Sequence, residues 1–253
     1  MGQTHRRFLL AVCGLLALAP RPSFAGSTPS PAAPACIELA PSPPETPVTS
    51  ALRLYEVPQY VEAVERFRRV VDDRTSSDKD RQRAAFYLGK TLFKLRLFVG
   101  SLAVFTEIAA SGPSHEYYYK SMEWLASLTQ VLPPAMGVEA ALARYPLPAF
   151  DRPMLGPMRD TVFVAVARHR LRERNVPAAL EALAARKKEP YERVAQQPAL
   201  DQVADELERS ARALQEHPDA GPPAAIAPDP AEQARIKELL RTERQQGDLL
   251  PTY

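Results

Sequence analysis

The chain has 253 residues, of which 32 are lysine or arginine and 30 are aspartate or glutamate, so its formal net charge is only +2. This balance excludes a strongly basic molecule whose overall field would select nucleic acid. The 26 prolines lie between apolar segments and in two linkers, without the regular period of collagen, and are therefore predicted to separate elements rather than to build a fibre.

Residues 1–25 have the three regions of a secretory signal peptide. The basic segment 5–7 precedes an apolar run over residues 8–19, and Ser23-Phe24-Ala25 forms a small-x-small cleavage site. The apolar run is shorter than the roughly 20 residues that a membrane-spanning helix needs. We therefore expect an exported protein, periplasmic in a Gram-negative cell and secreted otherwise, whose mature chain begins at Gly26 and does not span the membrane.

Residues 26–47 are predicted to be a disordered linker, because they contain seven prolines, few charges and no apolar periodicity. Removal of the signal peptide takes Cys13 with it and leaves Cys36 as the sole cysteine, which excludes an internal disulfide. Cys36 is then an unreacted thiol, one half of an intermolecular disulfide, a redox site or a lipidated residue. Lipidation is disfavoured, since a polar spacer with prolines separates Cys36 from the apolar run.

Residues 48–217 are predicted to fold as one all-helical domain. Their apolar residues recur at spacings of three and four, with almost no alternation of β-branched residues, and indicate about eight or nine helices. Ser77 or Asp78 is placed to cap a helix that runs to about Leu95. Gly112 is placed to end the next helix, and Ser114 to cap the one after it.

The helical segment repeats itself. Two stretches that start at Tyr60 and Phe98 match at a single offset, with an aromatic, a small, an aromatic and a β-branched residue in the same order. A similar pattern starts again at Val176, far enough along the chain to leave room for a degenerate unit between residues 114 and about 148. The matched positions are Tyr60, Ala63, Phe67 and Val70; Phe98, Ser101, Phe105 and Ile108; and Val176, Ala179 and Leu183.

The small residues of the repeat have a packing role in this interpretation. Two antiparallel helices approach closely only where the facing residues are small, so Gly89 is predicted to lie against Ser101. Within the degenerate unit, residues 138–145 predict one helix. Another helix is indicated by the apolar spacing of Tyr118, Met122, Leu125 and Leu128.

Leu88-Gly89, Phe98, Ser101, Phe105 and Pro113 stand at the spacing of tetratricopeptide repeats, whose period is about 34 residues. The chain resembles this family over residues 51–113 and again over 161–190, and the loop at 75–78 accommodates the extra residues. The resemblance implies an α-solenoid of antiparallel helix hairpins with a concave groove that holds a partner segment. More narrowly, the chain is similar to periplasmic members of the family that organise envelope assemblies, including surface-motility machinery.

The resemblance also implies which residues line the groove. A basic pair one turn apart falls there in both repeats, because Lys90 and Lys94 correspond to Arg168 and Arg172. Such a face suits an acidic segment or a C-terminal carboxylate, although lysine and arginine are equally the ordinary residues of a solvated helix surface. The implied groove residues are Arg83, Phe86, Lys90, Phe93 and Lys94 in the second repeat, and Thr161, Val164, Arg168, Leu171 and Arg172 in the later one.

Tyr117, Tyr118 and Tyr119 form an aromatic cluster with Trp124. Three consecutive residues of a helix point in three directions, so at most one or two of these tyrosines are expected in the core. The remainder either pack partly against the neighbouring hairpin or mark a contact surface.

No sequence pattern indicates an enzyme, a cofactor or a metal site. The chain lacks a His-Glu-x-x-His motif, a phosphate-binding glycine loop and a Gly-x-Ser-x-Gly motif. His115, His169 and His217 share no metal-ligand spacing, and His169 is interpreted as a surface residue. No pair of carboxylates is recognised in an apolar setting that would raise a pKa.

Residues 218–230 are predicted to be a second proline-rich linker, and 231–253 a short helix, to about residue 246, with a tail. These features favour an exported scaffold or adaptor that helps assemble an envelope protein complex. An alternative is a self-associating component of an envelope or motility machine, in which Ile236, Leu239 and Leu240 pack on a neighbouring subunit. A further alternative is a non-catalytic subunit of a cell-wall-modifying enzyme.

Overall fold

A computed structural model describes residues 45–188, 198–221, 223, 226 and 230–247 of the protein. The predicted signal peptide, most of the first linker and Cys36 lie outside the described residues. The chain divides into one unit of residues 1–43 and a second unit of residues 44–253. All of the described residues belong to the second unit.

Every regular element in the described part of the second unit is helical, as the sequence predicts. Consecutive helices pack against each other in adjacent pairs, which gives an all-α, solenoid-like arrangement. Short 3-10 segments at Pro134–Met136, Leu147–Asp151 and Pro153–Met158 join the middle helices. The helices are α1 (Pro47–Glu56), α2 (Tyr60–Asp72), α3 (Asp78–Lys94), α4 (Phe98–Ser111), α5 (Tyr118–Leu128), α6 (Val138–Leu142), α7 (Arg159–Arg172), α8 (Val176–Lys187), α9 (Pro198–Glu216) and α10 (Pro230–Gly247).

The repeat seen in the sequence is also a repeat of backbone structure. Helices α2, α4 and α8 begin at Tyr60, Phe98 and Val176, which are the first positions of the three matched stretches. The turn before each of these helices is closed by the same backbone hydrogen bond, from an amide to a carbonyl five residues earlier. The three bonds run from Gln59 to Leu54 (2.9 Å), from Leu97 to Leu92 (2.9 Å) and from Asn175 to Arg170 (2.8 Å).

The predicted contact between Gly89 and Ser101 is present. The Ser101 hydroxyl donates a hydrogen bond to the Gly89 carbonyl at 2.9 Å, so α3 and α4 approach closely at this point. A Cβ atom on Gly89 would lie 2.8 Å from Cζ of Phe105, a separation that real Cβ atoms do not tolerate. The glycine is therefore required by the Phe105 ring rather than by the backbone conformation.

The degenerate third unit departs from two expectations. Helix α5 covers the predicted apolar positions, but Ser114 does not cap it: the Ser114 hydroxyl donates to the Ser111 carbonyl, and α5 starts at Tyr118. Helix α6 has only five residues instead of extending to Tyr145. Prolines at 133, 134, 146 and 148 flank this helix, and proline removes amide donors that a longer helix would need.

A buried arginine holds the later helices together. The Arg159 guanidinium donates to the Asp151 carboxylate at 2.7 Å and to the carbonyl oxygens of Ala185 (3.2 Å) and Lys188 (3.0 Å). The last carbonyls of a helix have no intrahelical donors, so Arg159 satisfies the C-terminal end of α8. Arg186, also buried, pairs with Asp201 and joins α8 to α9.

Candidate partner-binding surface

The ammonium of Lys90 lies among aromatic rings from three helices. It is 4.5 Å from the ring centre of Tyr87 on α3, 5.1 Å from that of Tyr55 on α1 and 5.5 Å from that of Trp124 on α5. An ammonium group at such distances is attracted by the electron-rich faces of the rings. Helices α1, α3 and α5 therefore share one surface, with Lys90 at its centre.

Two further lysines place like charge beside Lys90. Burial lowers the pKa of the Lys90 ammonium below its ordinary value, and the charges of Lys94 and Lys120 lower it further. Lys94 and Lys120 are exposed, and within the described residues none of the three lysines forms an ion pair. We call this set the lysine–aromatic face: Lys90, Lys94, Lys120, Tyr55, Tyr87 and Trp124.

The lysine–aromatic face keeps an excess of positive charge. Glu123, one turn after Lys120 on α5, interacts with it electrostatically, although burial is the larger influence and raises the pKa of the Glu123 carboxyl. One carboxylate beside three ammonium groups leaves the face cationic. A surface of exposed cations around aromatic rings suits a ligand that combines carboxylates with apolar groups.

The other predicted groove residues of α3 lie in different environments. Phe86 is only 5% exposed and stacks on Tyr117 with ring centres 4.6 Å apart, so it belongs to the core and not to an open groove. Phe93 is half-buried between Phe98 and Trp124, at 5.3 Å from each ring. Arg83 is half-buried. Burial and the Glu116 charge raise the pKa of the Tyr117 hydroxyl, and the Arg83 charge partly offsets that increase.

The tyrosine cluster divides as its helical positions require. Tyr117 and Tyr118 are buried, while Tyr119 is half-buried. The guanidinium of Arg152 stacks over the Tyr119 ring at 3.6 Å. Two of the three tyrosines thus enter the core, which is the upper limit that the sequence predicts.

The later basic pair is engaged inside the protein. Arg168 donates to one carboxylate oxygen of Glu139 at 3.0 Å, and Arg172 donates to the other at 2.6 Å. Glu139 is only 3% exposed, whereas the two arginine side chains remain 20% and 32% exposed. A partner carboxylate would have to compete with Glu139 for these arginines.

Burial dominates the chemistry of Glu139. It raises the pKa of the carboxyl from 4.5 to about 6, although Arg168 and Arg172 act in the opposite direction. Glu139 is not among the residues that the sequence predicts for the site. The available signal was an acid inside the apolar helix Val-Glu-Ala-Ala-Leu, which is too short to show a polar face.

Three further expectations for α7 are corrected by the structure. Val164 and Leu171, implied groove residues, are 1% and 0% exposed and lie in the core. Thr161 is half-buried. His169, interpreted as a surface residue, is also half-buried, with Nε2 3.2 Å from the Glu173 carboxylate. The correspondence with α3 therefore extends to burial for two matched pairs: Phe86 and Val164 are both buried, and Arg83 and Thr161 are both half-buried. It fails at half-buried Phe93, whose counterpart Leu171 is buried.

Metal and membrane features are not found in the described part of the chain. It contains no group of three or more histidines, cysteines, aspartates or glutamates that could hold a metal ion. Its helices include none that is both long and apolar enough to cross a bilayer.

Comparison of the chain with protein-family models, with curated proteins and with solved structures finds no match. The resemblance to tetratricopeptide repeats therefore rests on the residue spacing alone.

Proposed function

We propose that the protein is an exported scaffold of the tetratricopeptide type that helps assemble an envelope protein complex. The observation that carries this proposal is the lysine–aromatic face, a cationic surface shared by three helices of the solenoid. None of its ammonium groups forms an ion pair with a carboxylate among the described residues, and its rings are already held in place by the helices. A preformed surface binds a partner without the cost of ordering its own side chains.

The proposed ligand is an acidic segment of a partner protein that also carries apolar side chains. Carboxylates of the segment would pair with Lys94 and Lys120, which are exposed. Its apolar side chains would lie on the rings of Tyr55 and Trp124. Rim charges contribute mainly to association rate and specificity, whereas aromatic contacts contribute most of the affinity.

A selection from a random peptide library displayed on phage tests this proposal. We expect the wild-type protein to enrich peptides rich in aspartate and glutamate, and the Lys94→Glu/Lys120→Glu variant to lose that enrichment. Arg68→Glu/Arg74→Glu is the matched control, because both arginines are exposed residues outside the lysine–aromatic face. Enrichment without acidic residues, or identical selections by the two charge-reversed proteins, would contradict the proposal.

The same three proteins are suited to capture from envelope extract. The proposed scaffold retains a partner in the wild type and in the Arg68→Glu/Arg74→Glu control and loses it in Lys94→Glu/Lys120→Glu.

Light scattering over a range of protein concentrations distinguishes the scaffold from the alternative of a self-associating structural component. A molecular mass that rises with concentration supports the structural alternative.

A further inference from the structure

Helix α10 contacts the rest of the described protein through one narrow stripe of residues. Glu232, Ile236, Leu239 and Glu243 are its half-buried residues, and they follow one another at spacings of four, three and four, which places them on one face. The neighbouring Leu240 is 46% exposed. The stripe therefore has two aliphatic residues at its centre and a carboxylate at each end.

The carboxylate at the C-terminal end of the stripe, which is the Glu243 side chain, binds the start of α4. Glu243 accepts hydrogen bonds from the Val99 amide at 2.7 and 3.0 Å, between segments far apart in the sequence. Helix α4 has no side-chain cap of its own, whereas α8, at the equivalent place in the repeat, is capped by Asn175. Because the first amides of a helix attract an anion, α4 offers a carboxylate site that α10 fills.

The other end of the stripe is held in the same way. Glu232 accepts a hydrogen bond from the Ala135 amide at 2.9 Å, at the 3-10 segment before α6. At this Glu232 end of the stripe, an open cavity of about 340 Å³ lies beside α10, and its lining includes Glu139, Arg172 and Ile236. The packing between α10 and the rest of the described protein is therefore incomplete, and the contact between them is small.

We propose that the surface formed by the start of α4, residues 134–136, α6 and the end of α7 is a binding site for a partner's amphipathic helix, and that α10 is its exchangeable intramolecular occupant. The partner helix would carry the acid–aliphatic–aliphatic–acid pattern of α10. This inference rests on the proposed scaffold function and adds a second surface to it, with the chemistry of its ligand read from α10 itself.

The chain that joins α9 to α10 makes exchange harder for a competing helix but does not prevent it. A short linker holds a tethered helix at an effective concentration on the order of millimolar. If the isolated α10 helix binds its surface with a dissociation constant of about 0.1 mM, the tethered copy occupies the surface in roughly nine molecules of ten. A competing helix then binds about tenfold more weakly than it would to the vacant surface.

The test uses the full chain and a fluorescent peptide of residues 230–247. Two variants release α10 in different ways: Ile236→Asp/Leu239→Asp removes the aliphatic contacts, and Glu232→Lys/Glu243→Lys reverses the carboxylates. Fluorescence anisotropy should show that the peptide binds both variants about tenfold more tightly than the wild type. A peptide with Glu232→Lys and Glu243→Lys should bind none of the three proteins.

Three results would overturn the proposal: no peptide binding to either released variant, equal binding to the wild type and the variants, or equal binding of the charge-reversed peptide. The Lys94→Glu/Lys120→Glu protein with α10 also released separates this surface from the lysine–aromatic face. It should still bind the peptide while failing to bind acidic library peptides, so either proposal can fail while the other stands.

Discussion

The two basic pairs of the solenoid occupy equivalent positions but have different surroundings. Lys90 lies among aromatic rings, and neither it nor Lys94 forms an ion pair in the described structure, whereas Arg168 and Arg172 share the buried Glu139. The difference comes from α6, the short helix of the degenerate unit, which supplies Glu139. The repeat therefore determines the position of a charged residue, whereas contacts from the neighbouring unit determine whether that residue is available to a partner.

Packing beneath the two basic pairs also differs, and a substitution at this contact should have the largest effect on stability. Position 89 is glycine against Phe105 in the earlier repeat, whereas the corresponding residues in the later repeat are Ala167 and Leu183. Gly89→Ala should cost about 3 kcal/mol in the free energy of unfolding, since its Cβ would meet the buried Phe105 ring at 2.8 Å. Urea unfolding measures this loss.

Two controls sharpen that prediction. Gly100→Ala, in the same helix pair, places a Cβ at an ordinary 3.5 Å from Leu92 and should leave stability unchanged or slightly higher. Gly89→Ala/Phe105→Leu reproduces the pair of the later repeat and should recover part of the loss. A Gly89→Ala protein as stable as the wild type would show that the Phe105 ring is free to move away.

The buried carboxylate should make stability depend on pH. Because the pKa of Glu139 is raised from 4.5 to about 6, the folded protein binds this proton more tightly than the unfolded chain. The contribution of Glu139 to stability is therefore greatest below pH 4.5, falls as the pH rises to about 6, and is constant above that value. The fall amounts to about 2 kcal/mol.

The measurement is the difference in unfolding free energy between the wild type and Glu139→Gln at a series of pH values. Glutamine does not titrate, so the wild type should lose stability relative to the variant between pH 4.5 and 6. A difference that is independent of pH across this window would mean that the two arginines hold the carboxyl ionised.

Replacing one basic residue in each repeat should separate their roles. Arg168→Met leaves buried Glu139 with one arginine and should cost about 1.5 kcal/mol, less than for a fully buried pair because the Arg168 side chain is 20% exposed. Lys90→Met should change stability by less than about 0.5 kcal/mol, because lost attraction to the rings is offset by relief of lysine repulsion in partly screened surroundings. Equal losses in thermal unfolding would remove the distinction.

Substitutions in the turns that follow the two basic pairs should have the smallest effect on stability. Arg96 and Arg174 both adopt left-handed backbone conformations, with φ of 62° and 61°. Arg96→Gly should stabilise the protein by about 0.5 kcal/mol, since glycine adopts this conformation without strain. Arg174→Gly should gain less, because the Arg174 guanidinium also donates to the Ala220 carbonyl at 2.9 Å. A larger gain at Arg174 in calorimetry would contradict this reasoning.

The sequence predicts the helical class and the repeat because both depend on local spacing. The aromatic, small and β-branched positions of Tyr60–Asp72 and Phe98–Ser111 recur at one offset, and the contact of Gly89 with Ser101 follows from their size. The resemblance to tetratricopeptide repeats implies groove positions for Phe86, Val164 and Leu171. Their burial depends on long-range packing, as when Tyr117 covers Phe86, which spacing within one helix does not contain.

The remaining features of the site depend on where distant segments meet. Glu139 becomes important only because α6 brings it between two arginines of α7. Likewise, the amphipathic pattern of α10 predicts a helix. Neither this pattern nor the sequence of the preceding linker predicts the surface on which the helix packs. The contact of Glu243 with Val99 could not be inferred without the structure.

Trp124 allows the most direct test of the lysine–aromatic face, because it is the sole tryptophan of the chain and its ring centre lies 5.5 Å from the Lys90 ammonium. Its emission can be followed while a peptide of glutamate and leucine residues is added, with a lysine and leucine peptide as control. We expect a saturable change for the acidic peptide alone, with affinity about tenfold lower in Lys94→Glu/Lys120→Glu. The same titration curve in that variant, or no response to the acidic peptide in the wild type, would contradict a partner-binding role for this face.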